Sequence, residues 1–493
     1  MASSIAGGRM TSLDAAFYYL ERTGQLLHVG GVYTIEGTLD FDRLRADLAA
    51  RMHLIPRYTE RVVTVPLNLA HPTWERDPHF DIRHHVFRHV LRPPGDESQL
   101  VSLASRLFAQ PLHRGRPLWE LHEIDGYQGQ RSVIFAKVHH AMIDGVSGVQ
   151  LLGVMFDTSP TPAAVSPAPD EPAAPPLPSP SLQVMRAVRE GVQGVVERAQ
   201  ALREFVRKPR RALAELGAAA DALGEIGRIA FAGVPSTPFN GHVSTLRRVV
   251  WTTFSLNETK AIKNRLGGTV NDVVLATISA ALRGYLERCG LKPDRMELRA
   301  MLPVNVRRAD EHLQLGNRVS MLVAPLPVGI FDPLERLRQV RTATAELKER
   351  GQANRMTRML DLLELLPSAL QRPLGWLQVQ AAPINTVCTN VPGPPVSLYV
   401  QGKRLETLVP MVPLAQGVGL AFAILSYAET LTIGITADPA LVPDADQLCV
   451  LLQDGFEELR VLAGVEHVAK RPGPVPPERQ RRPSLTPQAA QGR

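Results

Sequence analysis

Cysteine is scarce in this chain. Three residues in 493, Cys289, Cys388 and Cys449, are widely spaced and odd in number. That excludes a disulfide framework and points to a reducing compartment. The first residues, MASSIAGGRMTSLDAAF, lack the apolar core of a signal peptide. No uninterrupted apolar run is long enough to span a bilayer. The nearest, Val418 to Ala437, is broken by Ser426, Glu429 and several threonines and reads as a hairpin. A GxSxG elbow is also missing, since Gly145-Val146-Ser147-Gly148 does not fit it, so a serine-nucleophile mechanism has no support. Excess charge on the body is missing too. The net charge is +7, but residues 470–493 carry Lys470, Arg471, Arg479, Arg481, Arg482 and Arg493 against Glu478, so the rest is close to neutral. The high pI therefore does not argue for a nucleic-acid partner.

What is present is a chain long enough for two domains of about 200 residues each. Its hydrophobic content of 44% suits a sizeable core. The Pro-, Ala- and Ser-rich stretch around PAPDEPAAPPLPSPS cannot bury a core and predicts an extended linker. The expected division is 1–157, a linker at 158–181, a helical and partly basic connector at 182–240, a second domain at 241–468, and a disordered basic tail at 469–493.

Ser132 to Phe156, SVIFAKVHHAMIDGVSGVQLLGVMF, is the stretch with the most chemistry. Its apolar, β-branched first half predicts a buried strand. Asp144-Gly145 marks a turn, and Ser147 can cap a short helix to Phe156. Strand alternation puts His139 and His140 on opposite faces. One imidazole can then face a substrate while the other packs behind it. A neutral imidazole held at pH 7 can take a proton from a hydroxyl. Asp144 can orient an imidazole, or hold the loop through a distant arginine. Two histidines and an aspartate could also ligate a metal, but no third cluster has ligand spacing, so none is expected. His84-His85 is a second histidine pair with no Asp-Gly after it.

His139-His140-Ala-Met-Ile-Asp144-Gly145 matches the HHxxxDG signature of CoA-dependent acyltransferases and peptide-synthetase condensation domains. Other segments narrow the resemblance. These are Trp74, Asp77, Phe80, Asp81, His85 and Val86 as WxxDxxFDxxxHV, Pro117-Leu118-Trp119 as PLW, and Val270-Asn271-Asp272 opening VNDVVLA. LPVNVR, with Asn305 where serine is common, Gly316-Asn317 and TNVPGP complete the set. Together they resemble the bacterial wax ester synthase/diacylglycerol acyltransferase family, from about Thr11 to Leu462.

The resemblance implies an α/β fold of two chloramphenicol-acetyltransferase-like domains with mixed sheets and an active-site tunnel between them. It implies acyl transfer from acyl-CoA to diacylglycerol or a long-chain alcohol, with no cofactor, no metal and no acyl-enzyme. His140 is then the general base. His139 supports it, Asp144 holds the loop, and Gly145 lets the backbone turn closely. Asn271 and Asp272 fall at the substrate edge, although read by themselves they are helix-cap residues. Trp119 anchors the core beneath the motif strand. Arg57 is a candidate partner for Asp144, or a solvated arginine. Condensation chemistry on a carrier-bound thioester stays open, as does a weakly active lipid-surface protein.

Met185 to Val206 predicts a helix with one apolar stripe and Arg186, Arg189, Arg198 and Arg203 off it. Such a helix suits either a membrane or lipid-droplet surface, or a face packed on the protein. The expected location is cytoplasmic, peripheral to the inner membrane or lipid bodies. Trp74 to Val86 is expected to be a strand, and Val387 to Pro395 a rigid connection.

Overall fold

The computed structural model describes residues 8–21, 25–143, 148, 152–162, 174–190, 217, 233–305, 319–349 and 384–467. Asp144, Gly145, Gly316, Asn317, residues 163–173 of the Pro/Ala-rich stretch, most of the basic helix and the basic tail lie outside them.

Helix α1 (Ser12–Leu20) starts where the Thr11 side chain accepts from the Asp14 amide. Strand β1 (His28–Ile35) and helix α2 (Phe41–Arg51) follow, the latter capped by Asp40. Strands β2 (Glu60–Val63) and β3 (Thr73–Arg76) form a small antiparallel ribbon. Next come β4 (Val86–Val90), α3 (Glu97–Phe108), β5 (Trp119–Tyr127) and β6 (Arg131–His139). The second half brings β7 (Arg248–Ser255), α4 (Leu256–Leu266), α5 (Val270–Arg288), β8 (Leu298–Asn305), β9 (Val319–Leu326) and α6 (Pro333–Glu349). It ends with β10 (Thr386–Pro392), β11 (Tyr399–Val400), β12 (Lys403–Met411), β13 (Leu420–Tyr427), β14 (Thr430–Ala437) and α7 (Asp446–Leu462).

Two six-stranded mixed sheets result, as expected for the two-lobed α/β plan. The first has the order β11-β12-β1-β6-β5-β4, the second β7-β14-β13-β10-β8-β9. The first sheet is therefore completed by chain from the far half. Strand β12 runs antiparallel to β1, with Val32 opposite Val409 and Gly30 opposite Met411. Leu405, Leu408, Val409 and Met411 are all buried there. Each such side chain contributes roughly 1.5–3 kcal/mol when removed from water. The sheets approach closely at one point: a Cβ on Gly434 of β14 would lie 2.0 Å from the Pro410 carbonyl oxygen of β12. Any larger residue there would push the two sheets apart.

Two expectations change. Of the Trp74–Val86 stretch only Trp74–Arg76, in β3, and Val86, which opens β4, are strand. Beyond β3 the Asp77 and Asp81 carboxylates accept from the amides of His79 and Arg83, bonds that fold the chain into turns. The first four residues of TNVPGP are not a connection but the end of β10, an interior strand parallel to both β8 and β13. Its proline comes last, where the ladder ends.

Within β5, Glu123 is fully buried. Ser132 Oγ donates to its Oε1 at 3.1 Å, and Arg88 Nε lies 3.5 Å from Oε2. Burial, with the Asp125 charge nearby, pushes the carboxyl up to about 7 against the pull of Ser132 and Arg88. The folded chain thus keeps a proton that the unfolded chain releases. Its contribution is complete below the unfolded value and is lost as pH rises through about 7. Glu123→Gln should therefore match the native protein in melting temperature near pH 5 and exceed it by pH 8, by ~1–3 kcal/mol in unfolding free energy. A gap that does not widen with pH in calorimetry would refute this.

Candidate active site

The motif strand β6 lies between β1 and β5, so both its neighbours fix its register. His139 is its last residue and pairs with His28 of β1, and the His140 amide donates to the Leu27 carbonyl at 2.8 Å. The chain then turns, with the Met142 amide on the His139 carbonyl at 2.9 Å.

The two histidines are placed differently. His139 is 1% exposed. The Ala141 amide donates to its Nδ1 at 3.0 Å, so the ring proton belongs on Nε2, which lies 3.0 Å from Glu21 Oε2. Burial alone would raise the Glu21 carboxyl. The neighbouring His139 ring, the Leu27 amide and Arg114 outweigh that and hold it at about 2. His140 is half-buried, and its ring stacks on Phe17 of α1 at 4.1 Å between centroids and 15° between planes. His28, behind the pair, is driven down to about 3 by burial and the Lys137 charge, so it is neutral.

A cavity of ≈ 150 Å³ lies beside the turn. Val29 and Val138 line it from the first sheet, Thr389, Val391 and Ile424 from the second, and Ile143, Gly148 and Leu152 from the motif region. It therefore sits between the two sheets. Its one ionic pair is Lys137 with Glu120. Lys137 Nζ lies 2.9 Å from Glu120 Oε2 and donates to the carbonyls of Leu107 and Gln110. All three ammonium donors are thereby used inside the core.

The remaining sequence candidates fall in three places. Trp119 is buried at the cavity wall, stacks on His85 at 4.5 Å, and donates its indole N–H to the Tyr58 carbonyl at 2.8 Å. Arg57 pairs with Glu60 at 2.9 Å and lies over the Trp74 ring at 4.4 Å. Asp144 is outside the described residues, so their pairing is not seen. Asp272 is buried in a capping box. Its Oδ2 accepts from the Thr269 amide and hydroxyl at 2.8 Å each, and its Oδ1 from the Thr344 hydroxyl at 2.7 Å. Every acceptor direction thus serves the fold. Asn271 is half-buried, and its Oδ1 accepts from Asn390 of β10 at 3.1 Å, which leaves its NH₂ as the donor end. Among the described residues no group of three His, Cys, Asp or Glu could hold a metal ion.

Sequence reasoning missed Glu21, Leu27 and the Glu120–Lys137 pair. Glu21 stands 118 positions before His139, and nothing local marks it as the partner. Phe17 had a signal in the aromatic residue that follows the Ser-Leu-Asp start.

Paired histidines at the end of a central strand, beside a cavity lined from two mixed sheets, suit a two-lobed acyltransferase of chloramphenicol-acetyltransferase type. Comparisons with known proteins narrow this. The model for the wax ester synthase/diacylglycerol acyltransferase catalytic domain matches residues 10–274, and that for the family's C-terminal domain matches 315–460. A protein of Mycobacterium tuberculosis named as a probable diacylglycerol O-acyltransferase is 32% identical over 94% of this chain and 98% of its own length. The solved wax ester synthase/diacylglycerol acyltransferase of Marinobacter aquaeolei VT8 has a TM-score of 0.65 at 25% identity, over 93% of this chain and all of that one. The first condensation domain of the calcium-dependent antibiotic synthetase shares the fold, with a TM-score of 0.60 at 17% identity over 94% of this chain and 98% of that one. The chain belongs to the wax ester synthase/diacylglycerol acyltransferase family and is an acyltransferase.

Asp272→Ala should cost ~1–3 kcal/mol in urea unfolding, because it removes the capping box and leaves the Thr344 hydroxyl only the Arg341 carbonyl as acceptor. Asn271→Ala should cost under ~0.5 kcal/mol, since its half-buried amide serves no cap. Equal losses at the two positions would contradict the capping assignment.

Proposed function

We propose that this enzyme moves a long-chain acyl group from acyl-CoA to the hydroxyl of diacylglycerol, of a long-chain alcohol, or of both. The observation that carries this is the half-buried His140 imidazole in the turn beside an apolar cavity, between the lining residues Val138 and Ile143, in a chain of this family. The acyl chain lies against the cavity's aliphatic wall, where Val138 and Ile143 flank the histidine turn. The acceptor hydroxyl gives its proton to His140 as its oxygen attacks the thioester carbonyl. The tetrahedral intermediate then expels the CoA thiolate, which takes the proton back from the imidazolium. Ester and free CoA leave, and no acyl-enzyme forms. His139, held as the Nε2–H tautomer, keeps the turn in place. Asp144 and Gly145 shape the loop beyond it. Asn271, oriented by Asn390, presents an N–H₂ donor toward the acceptor's path. Trp119 supports the wall, and Arg57 supports the sheet through Glu60 and Trp74. The working division is residues 1–157 and 241–468 as the two lobes, except that β11 and β12 complete the first lobe's sheet, with 158–181 and 182–240 joining them. No cofactor takes part.

The test is purified protein with labelled long-chain acyl-CoA and either diacylglycerol or hexadecanol, beside His140→Ala. Product should form with at least one acceptor and fall by more than about 100-fold in a variant of unchanged circular dichroism. Full activity in that variant would overturn the assignment of the base. Dependence on a carrier-bound thioester would favour the condensation reading.

Peripheral attachment to a membrane or lipid body is part of the same proposal. No helix among the described residues is long and apolar enough to cross a membrane. In the helical segment 180–190 Met185 is 67% and Val188 57% exposed, while Ala187 and Gln183 are buried. Arg186 reaches back to Glu75. That pattern supports an element that lies in an interface with its apolar stripe toward lipid. The double substitution Met185→Asp and Val188→Asp should cut flotation with anionic liposomes at least about threefold. Unchanged flotation would remove this segment from the attachment.

A further inference from the structure

Glu21 follows α1, and its side chain is 6% exposed. Two routes lead from one carboxylate oxygen to the backbone on either side of His140. Along the first, Oε2 accepts from the Leu27 amide at 3.1 Å, and the Leu27 carbonyl accepts from the His140 amide at 2.8 Å. Along the second, Oε2 lies 3.0 Å from His139 Nε2, and His139 Nδ1 accepts from the Ala141 amide at 3.0 Å. Residues 140 and 141 are thus both tied to Glu21 through one intermediary each. The other oxygen, Oε1, faces Arg114, whose guanidinium lies 3.3 Å away and sits over the Tyr18 ring at 4.4 Å. On the ring side, Phe17, one turn earlier on the same helix, lies flat on the His140 imidazole.

We propose that Glu21 is a positioning residue for acyl transfer: with Phe17 it makes helix α1 the clamp that sets the backbone and ring plane of His140. It never touches substrate. It acts by fixing the His139 tautomer and the strand entry at Leu27. The inference rests on the reading of His140 as base, and it makes a claim about His139 that holds apart from any activity. A base displaced by about 1 Å loses on the order of 100-fold in rate while substrate binding is spared. A buried ion pair that served only stability would leave a different trace, because its loss would lower the folded fraction rather than the turnover of folded enzyme.

Three variants separate these roles. Glu21→Gln can place its carbonyl oxygen where Oε2 stands, keeping the Leu27 hydrogen bond and an acceptor beside His139 Nε2. Glu21→Met has similar length and no acceptor. Arg114→Gln removes the guanidinium and leaves both routes intact. The expected result is a fall in kcat of about 10- to 100-fold for Glu21→Met, per folded enzyme, with KM for acyl-CoA within about twofold. Glu21→Gln should recover at least about a third of the native kcat, and Arg114→Gln should stay within about threefold of it. Proton-coupled ¹⁵N spectra of histidine-labelled protein give the second readout. His139 should carry its proton on Nε2 in the native protein and in Glu21→Gln, and should populate both tautomers in Glu21→Met. A Glu21→Met enzyme with native kcat, a loss confined to KM, or a Glu21→Gln enzyme as slow as Glu21→Met would overturn the proposal. So would an unchanged His139 tautomer in Glu21→Met. If the native protein transferred no acyl group, the functional reading would fall, and the tautomer comparison would still decide the role of Glu21.

Discussion

The double pairing of β1 is the constraint on which most of this structure depends. On one side β1 holds β6, the strand that ends in the histidines, and on the other it holds β12 from the far half of the chain. The cavity exists because β12 also packs on the second sheet, closely enough that only glycine fits at Gly434. A shift of β1 by one residue would move every side chain of the pair to the opposite face. It would displace the histidine turn and open the boundary between the sheets together.

The two adjacent histidines differ through what meets their rings. Alternation along β6 sends them to different surroundings. His139 goes into the protein against Glu21 and beneath Tyr18, and His140 goes to the half-buried turn against Phe17. The buried ring is committed on both nitrogens, with an amide on one and a carboxylate beside the other. Charges close by are absorbed in the same way. Lys137 has three acceptors, and His28 is kept neutral by burial. The cavity wall therefore combines a dry aliphatic surface with polar groups whose bonds are already made, a setting in which a single half-buried imidazole can exchange a proton with a substrate.

Much of the architecture was legible where the signal was local. Thr11, Asp40, Ser255 and Thr269 cap helices at the positions their residue types suggest. The hairpin at 420–437 follows its alternation, with Ala428 taking the positive φ of the turn. Reading failed where partners decide. TNVPGP has turn-like composition, yet its first four residues extend an interior strand, because β13 offers them a parallel ladder. Conversely, Asp77 and Asp81 bend a stretch whose aromatics suggested a strand.

The sequence by itself determined the chemistry available: a histidine pair next to a turn, no serine elbow, and the ordered motifs of one acyltransferase family. Those are properties of residue type and spacing, and they survive without coordinates. Only the tertiary structure decided which groups act on that pair. Glu21 and Phe17 meet the histidines from more than a hundred residues away, Asn390 meets Asn271 from a similar distance, and β12 joins a sheet begun some 370 positions earlier. Contacts at such separations depend on how the two sheets pack, which no local periodicity encodes. Asp272 shows the same division within a single residue. Its type permitted either a cap or a ligand contact, and the Thr269 and Thr344 hydroxyls that surround it in the folded chain take its carboxylate for the cap.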